Sequence, residues 1–324
     1  MNIEDRFRGA IWGQFVGDAA ALGAHWIYNL SELQRTYPDG IHGFEAPAEG
    51  HYHAGKKPGD QTHYGDAALI LLESVAELGR FDAKDFGQRF VAFYGSPDYK
   101  GYRDKATRGT LENYALFREV NPNEEFDFQQ GADDDQLAGP SRIAPVVVTH
   151  LRDENLLVVV ESATRVCQNN DRAVGYVKAQ ALILRELLEG RDVHSAIHRT
   201  EEMVPQVVQG LLKSEIVKKT RQAMDATLKK VTDATLEFGQ SCPLASSFPS
   251  SIQAFVKNPN SFPETILATI RAGGDSAGRA SMIGAWMGAH LGIEEIPQEW
   301  RDKLTARERI HENVEKLVKR LSEK

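Results

Sequence analysis

The stretch RAGGDSAGRASMIGAWMGAHLG, residues 271–292, decides how the rest of the chain is read. Gly273-Gly274-Asp275 stands at the mouth of a helical pattern, and behind it Gly284, Gly288 and Gly292 recur at every fourth residue. Residues 9–23, GAIWGQFVGDAAALG, carry the same spacing in Gly9, Gly13 and Gly17. Each glycine in a helix interior costs about 1 kcal/mol against alanine. A row of them is tolerated where it lets a second backbone come close, and the flanking polar residues exclude the membrane form of the motif. Two core helices in close contact are therefore expected, with their ends, and so Asp18 and Asp275, near each other. Asp275 is a good helix N-cap, worth about 1 kcal/mol, and Arg279 one turn on can pair with it for a few tenths of a kcal/mol. Spacing alone favours the cap but leaves open whether Asp275 holds something more.

Helical periodicity continues through the chain. Residues 66–79, DAALILLESVAELG, form a wide apolar stripe that stops at Gly79. Residues 172–189 turn Val174, Val177, Ala181, Leu182, Leu184 and Leu188 inward and stop at Gly190. Residues 211–238 set Ile216, Met224, Leu228 and Val231 on one side, and the C-terminal stretch does the same with Ile310, Val314, Leu317, Val318 and Leu321. Only IAPVVV and LLVVV read as strands, and each runs into residues that can open a helix. The expectation is an all-α protein, a single compact multi-helix domain over residues 1–324. Long loops at 38–66, 121–141 and 239–262, rich in Gly, Pro, Asn and Asp, are expected to shape a site.

A formal charge of −8 argues against a nucleic-acid partner, which requires clustered Lys and Arg. The two cysteines, Cys167 and Cys242, are too few for a disulfide framework. The N-terminal MNIEDRFRGAIWG has no signal-peptide core, and no apolar run approaches the roughly 20 residues of a membrane span. A cytoplasmic protein without a membrane partner is expected; oligomeric state is not legible.

Four segments concentrate chemistry. In residues 13–29, Asp18 sits among small apolar residues, where a carboxylate is costly unless hydrogen-bonded, and His25, Trp26 and Tyr28 follow as pocket-lining candidates. In residues 59–69, GDQTHYGDAAL, five polar groups (Asp60, Thr62, His63, Tyr64 and Asp66) precede an apolar helix, and capping accounts for only one or two of them. In residues 131–148 the run of three aspartates reads as a solvated loop, while Arg142, between a turn and an apolar run, has the bidentate fork that anchors carboxylate or phosphate. The fourth segment is 271–292. Rossmann, P-loop, G-x-S-x-G, H-E-x-x-H and C-x-x-C patterns are all missing from the sequence.

Taken in this order, GAIWGQFVGDAAALG, THYGDAALILLESV, GPSRIAP and GGDSAGRASMIGAWMGAHLG resemble the ADP-ribosylglycohydrolase family over nearly the whole chain. That family includes the dinitrogenase reductase-activating glycohydrolases and the J-type crystallins. The resemblance implies a compact all-α fold, cleavage of the N- or O-glycosidic bond of ADP-ribose, and two bound Mg²⁺ ions. It also exposes departures. Metal-binding members carry Thr-Asp-Asp-Thr where this chain has Thr62-His63-Tyr64-Gly65, and Gly-Gly-Asp-Thr-Asp-Thr where it has Gly273-Gly274-Asp275-Ser276-Ala277-Gly278. An acidic position after the first Gly-Asp falls on or near His25. Mg²⁺ depends on oxygen ligands, so the paired cluster is expected to be lost. Thr62, Asp66 and Asp275 remain as the candidates for any retained Mg²⁺. THYGD with GGDSAGR resembles the crystallin-like branch.

The expected function is a hydrolase of a ribosylated, nucleotide-like or other small N-linked substrate. Asp275 and Asp66 would orient water or a hydroxyl, and His63 would carry a proton. Arg142 and Arg279 would hold anionic groups, while Asp18, Thr62, Tyr64, Gly274, His25, Trp26 and Tyr28 would line the cleft. Two alternatives stand beside it: a non-catalytic, crystallin-like binding or structural protein, and a conventional Mg²⁺-dependent ADP-ribosyl-protein hydrolase.

Overall fold

The computed structural model of the protein describes residues 1–323. Among them every regular element is a helix, and the extended pairings are two isolated bridges, Ile27 with Gly274 and Ala132 with Gln168. The all-α expectation holds. None of the described helices is long and apolar enough to cross a membrane.

The glycine rows meet. Helix Ile3–Ala21 and helix Ser276–Leu291 are both buried along almost their whole length. A Cβ added to Gly13 would stand 2.8 Å from the carbonyl carbon of Gly284, and one on Gly288 would run into the carbonyl of Gly9. The small residues thus give up helix propensity for backbone-to-backbone contact. Two details differ from the regular row. Gly17 packs on Ala280, and Gly292 lies past the helix end at φ 88°, where it acts as the C-cap.

Helix His63–Leu78 starts at an N-cap, Thr62, whose side chain accepts from the Tyr64 N–H, and ends at Gly79 in the left-handed region. Helix Asp171–Leu188 stops just before Gly190, also at positive φ. The two β-branched runs are helices, Ala144–Thr149 and Leu156–Arg165. The C-terminal helix Arg307–Ser322 buries Ile310, Val314, Leu317 and Val318 as its periodicity requires.

Two stretches fold differently from their sequence reading. Residues 211–238 form two helices, Leu212–Asp225 and Val231–Phe238, and Leu228 lies between them, 93% exposed. Residues 239–262 are no continuous loop, because Leu244–Lys257 is helical and buries Leu244, Phe248, Ile252 and Phe255. That apolar stripe outweighs the interior Pro249. Ser250 and Ser251 return their hydroxyls to the carbonyls of Ser246 and Ser247, 2.8 Å away in both cases, and so do not compete with the helix.

Candidate active site

The close helix contact brings the exit of the N-terminal helix against the Gly-Gly-Asp turn. Trp26 N–H donates to the Gly274 carbonyl and Gly274 N–H to the Ile27 carbonyl, each at 2.8 Å. Gly273 and Gly274 both sit at positive φ, 71° and 68°, which a side chain would resist. Trp26 itself lies at φ 64°, a region bulky residues rarely adopt, and the bridge to Gly274 holds it there.

Asp275 is fully buried and does both of the things its sequence context allowed. It caps helix Ser276–Leu291 by accepting the Gly278 N–H at 3.3 Å. Its Oδ2 also accepts the Tyr64 hydroxyl at 2.9 Å and the Trp26 indole N–H at 3.2 Å. The Nδ1 of His25 stands 3.8 Å from Oδ1. Burial lifts the Asp275 carboxyl to about 6, against the opposing pull of the Arg279 charge and the three donors.

Arg279 makes no ion pair with Asp275 among the described residues. The guanidinium instead donates to the Gln240 carbonyl at 2.8 Å and to the Gly273 carbonyl. Asp275 N–H donates to that same Gln240 carbonyl, also at 2.8 Å. Arg279 is therefore an internal clamp on the Gly-Gly-Asp turn, and the expected i, i+4 pair is replaced by two carbonyl contacts.

Asp18 is equally buried, and it is tied to the start of helix His63–Leu78. It accepts the Thr62 N–H at 2.7 Å and the Thr62 hydroxyl at 2.5 Å. One turn of that helix thus serves both carboxyls, Thr62 for Asp18 and Tyr64 for Asp275. Gly65 is required beside them, since a Cβ there would stand 2.8 Å from the Gln61 Cβ and collide with Asp18. Burial raises the Asp18 carboxyl to about 7, with Thr62 and Lys56 opposing and Asp66 adding to the rise. A folded-state value above the unfolded 3.8 gives stability that is complete below about pH 4 and is lost as pH rises through about 7. The stability of Asp18→Asn relative to wild type should therefore improve between pH 4 and pH 8, by on the order of 2–4 kcal/mol. Urea unfolding at both pH values checks this, and a pH-independent difference would contradict it.

Asp66 turns to Lys56, with Nζ at 2.7 Å, and Lys56 also donates to the Gln61 carbonyl. Arg142 lies buried over Phe86 and Phe90, 5.8 and 5.9 Å from their ring centres, and its Nη2 has no hydrogen-bond partner among the described residues. Tyr28 is half-exposed at the rim. His25 and His63 are buried close together with ring centres 6.0 Å apart, and Trp26 covers both. Of the three aspartates read as a solvated loop, Asp134 is buried and accepts from the Gln168 amide at 2.8 Å.

The structure adds His53, Tyr52, Tyr102 and Asp104 to the site. His53 stacks on Trp26 at 5.6 Å and on His63 at 5.6 Å. The neighbouring His51 fixes its place, donating from Nε2 to the His25 carbonyl at 2.6 Å and accepting the His53 N–H on Nδ1 at 3.0 Å. Tyr52 and Tyr102 stand edge-on to Trp26 at 5.1 and 4.8 Å. Asp104 Oδ2 lies 3.6 Å from His63 Nε2. The cluster HYH at 51–53, inside a long loop, was the available sequence signal. Desolvation lowers His25 well below its usual range, His53 to about 2 and His63 to about 4, so all three rings are neutral near pH 7.

The donor set does not suit the magnesium pair that the resemblance implies. Thr62 faces Asp18, Asp66 faces Lys56, and Asp275 is engaged by Tyr64, Trp26 and Gly278. Mg²⁺ requires oxygen ligands in near-octahedral array, and these three residues do not turn their oxygens to one point.

A buried Gly-Gly-Asp turn locked against the end of a glycine-row helix defines an all-α scaffold with its polar centre at the helix ends. The ADP-ribosylglycohydrolase family model matches residues 1–324, and the chain belongs to that family. It is 25% identical to crystallin J1A of Tripedalia cystophora, over 98% of each chain. It is 23% identical to ADP-ribosylhydrolase ARH3 of Mus musculus, covering 91% of this chain and 86% of that one. It is 24% identical to ADP-ribosylarginine hydrolase Tri1 of Serratia proteamaculans, over 97% of this chain and 79% of that one. A solved structure described as an ADP-ribosylglycohydrolase-related protein complex superposes with a TM-score of 0.75 at 22% identity, covering 98% of both chains, which supports the fold.

Proposed function

We propose that the protein is a hydrolase of a glycosidic bond in a ribosylated, nucleotide-like small molecule, working from Asp275 without a magnesium pair. The observation that carries this reading is the Asp275 carboxyl, buried at the Gly-Gly-Asp turn, held by Tyr64 and Trp26, and titrating at about 6. A carboxyl with that value can deliver a proton to a leaving group and take one from water near neutral pH. The neutral His63 imidazole is a second proton acceptor beside Tyr64, with ring centres 3.9 Å apart. Trp26, Tyr102, Tyr52 and Tyr28 offer flat faces from the buried centre to the rim, which suits stacking of a planar base. Arg142, with its Nη2 unpartnered, and Arg279, whose Nε is unpartnered although its Nη atoms are engaged by backbone, are the charged groups available to an anion.

The relatives named as ADP-ribosylhydrolases support the class of substrate. Trp26 covers Asp275, so turnover requires the indole to swing aside. That same covering favours a second reading, a non-catalytic member like the crystallins, in which the carboxylate of Asp275 only holds Tyr64, Trp26 and Gly278 in place. Calorimetric titration with ADP-ribose and nucleosides, paired with a hydrolysis screen of N- and O-linked ADP-ribosyl compounds, separates the two. The hydrolase reading expects binding and product release by wild type. Neither binding nor release would overturn it in favour of the second.

A further inference from the structure

We propose that His25, His53 and His63 form a binding site for one transition-metal dication of the Zn²⁺ type. One ligating nitrogen from each lies within 4.8 Å of the other two, and all three residues are buried. The ring centres form a nearly equilateral triangle with sides of 5.7, 6.0 and 5.6 Å. Five of their six ring nitrogens, all but His25 Nδ1, have no hydrogen-bond partner among the described residues. Buried polar atoms are normally paired, and three adjoining histidines with five unpartnered ring nitrogens suit a shared cation.

The donor chemistry selects the ion. Neutral imidazoles favour Zn²⁺, Co²⁺, Ni²⁺ or Cu²⁺ over Mg²⁺, which requires oxygen. Around a tetrahedral ion with metal–nitrogen bonds of about 2.0–2.1 Å, ligand nitrogens stand about 3.3 Å apart, so closure requires side-chain movement of about an ångström. Three protein ligands leave a fourth position for water or a substrate oxygen.

The surrounding carboxylates complete the arrangement. His25 Nδ1 accepts the Ala277 N–H at 3.3 Å, so its ring proton sits on Nε2. Metal bound at Nε2 moves that proton to Nδ1, which then gives up the Ala277 N–H and turns to Asp275 Oδ1, 3.8 Å away, as its acceptor. Asp104 stands in the same relation to His63, with Oδ2 3.6 Å from Nε2. A carboxylate behind a ligating imidazole fixes its tautomer and orientation. The site lies where the family resemblance has carboxylate ligands, but its donors and its ion are different; it shares His63 with the proposed hydrolysis, and an ion bound there takes that ring's lone pair, so the binding test is read without turnover.

The test uses tag-free, full-length protein, with equilibrium dialysis against Zn²⁺ and visible spectroscopy with Co²⁺. Wild type is expected to bind one equivalent of Zn²⁺ that excess Mg²⁺ does not displace. His53→Gln should weaken binding at least about 100-fold, and Asp104→Asn by about 10–100-fold. The Co²⁺ form of wild type should show the intense visible bands of a four-coordinate ion, a readout that needs no variant to fold. No stoichiometric binding, a weak six-coordinate Co²⁺ spectrum, or unchanged affinity in a folded His53→Gln protein would overturn the proposal. None of these readouts depends on turnover.

Discussion

Gly284→Val is expected to remove about 4 kcal/mol of folding stability, among the largest effects a single substitution can have in this chain. Valine at that position puts its Cβ against the Gly13 carbonyl, 2.7 Å from its carbon, with a branched side chain still to place. The obstacle is backbone on both sides and cannot rotate away. Helix propensity has the opposite sign, since leaving glycine in a helix interior gains up to about 1 kcal/mol. Denaturant unfolding of Gly284→Val against wild type therefore decides between packing and propensity, and an unchanged or raised midpoint would refute the close contact. Because the same contact places the Trp26–Gly274 bridge, the variant should also lose any ligand affinity of the site.

Asp275→Ala is the second large effect, and it acts on stability and activity together. Removing the carboxylate leaves the Tyr64 hydroxyl, the Trp26 indole N–H and the Gly278 N–H without their acceptor in a fully buried place. An unsatisfied buried donor costs about 1–3 kcal/mol, so a loss of about 3 kcal/mol or more is expected. Asp275→Asn keeps an acceptor oxygen and the volume but cannot titrate. Its stability loss should be smaller, while activity falls by at least about 100-fold, the usual contribution of a positioned acid–base group. Equal activity in wild type and Asp275→Asn would remove Asp275 from the chemistry and leave it a cap.

The helical class and the paired glycine rows were legible because both are periodic and local. Gly79 and Gly190 marked helix ends for the same reason. What escaped depends on distant partners. The break between Leu212–Asp225 and Val231–Phe238 has no glycine or proline to announce it, so Leu228 read as an inward residue. Helix Leu244–Lys257 was hidden by Pro243, Pro249 and a run of serines, and exists because its apolar stripe is buried. Asp134 looked solvated because its partner, Gln168, is 34 residues away. The site was half legible. Asp18, Thr62, Tyr64, Asp275, Trp26, His25 and His63 were visible as dense polar or aromatic clusters, and the structure brings them together. His53 was not, since its role depends on how the loop before Thr62 folds back over Trp26. Arg279 was visible, but its partners are main-chain carbonyls that no side-chain pattern reveals.

The most direct test of the account is release of ADP-ribose from a panel of N- and O-linked ADP-ribosyl compounds, comparing wild type with Asp275→Asn, each with and without added Mg²⁺. Wild type is expected to release ADP-ribose without dependence on added Mg²⁺, and the variant to lose at least about 100-fold. Release that requires Mg²⁺, or that is the same in Asp275→Asn, would contradict it.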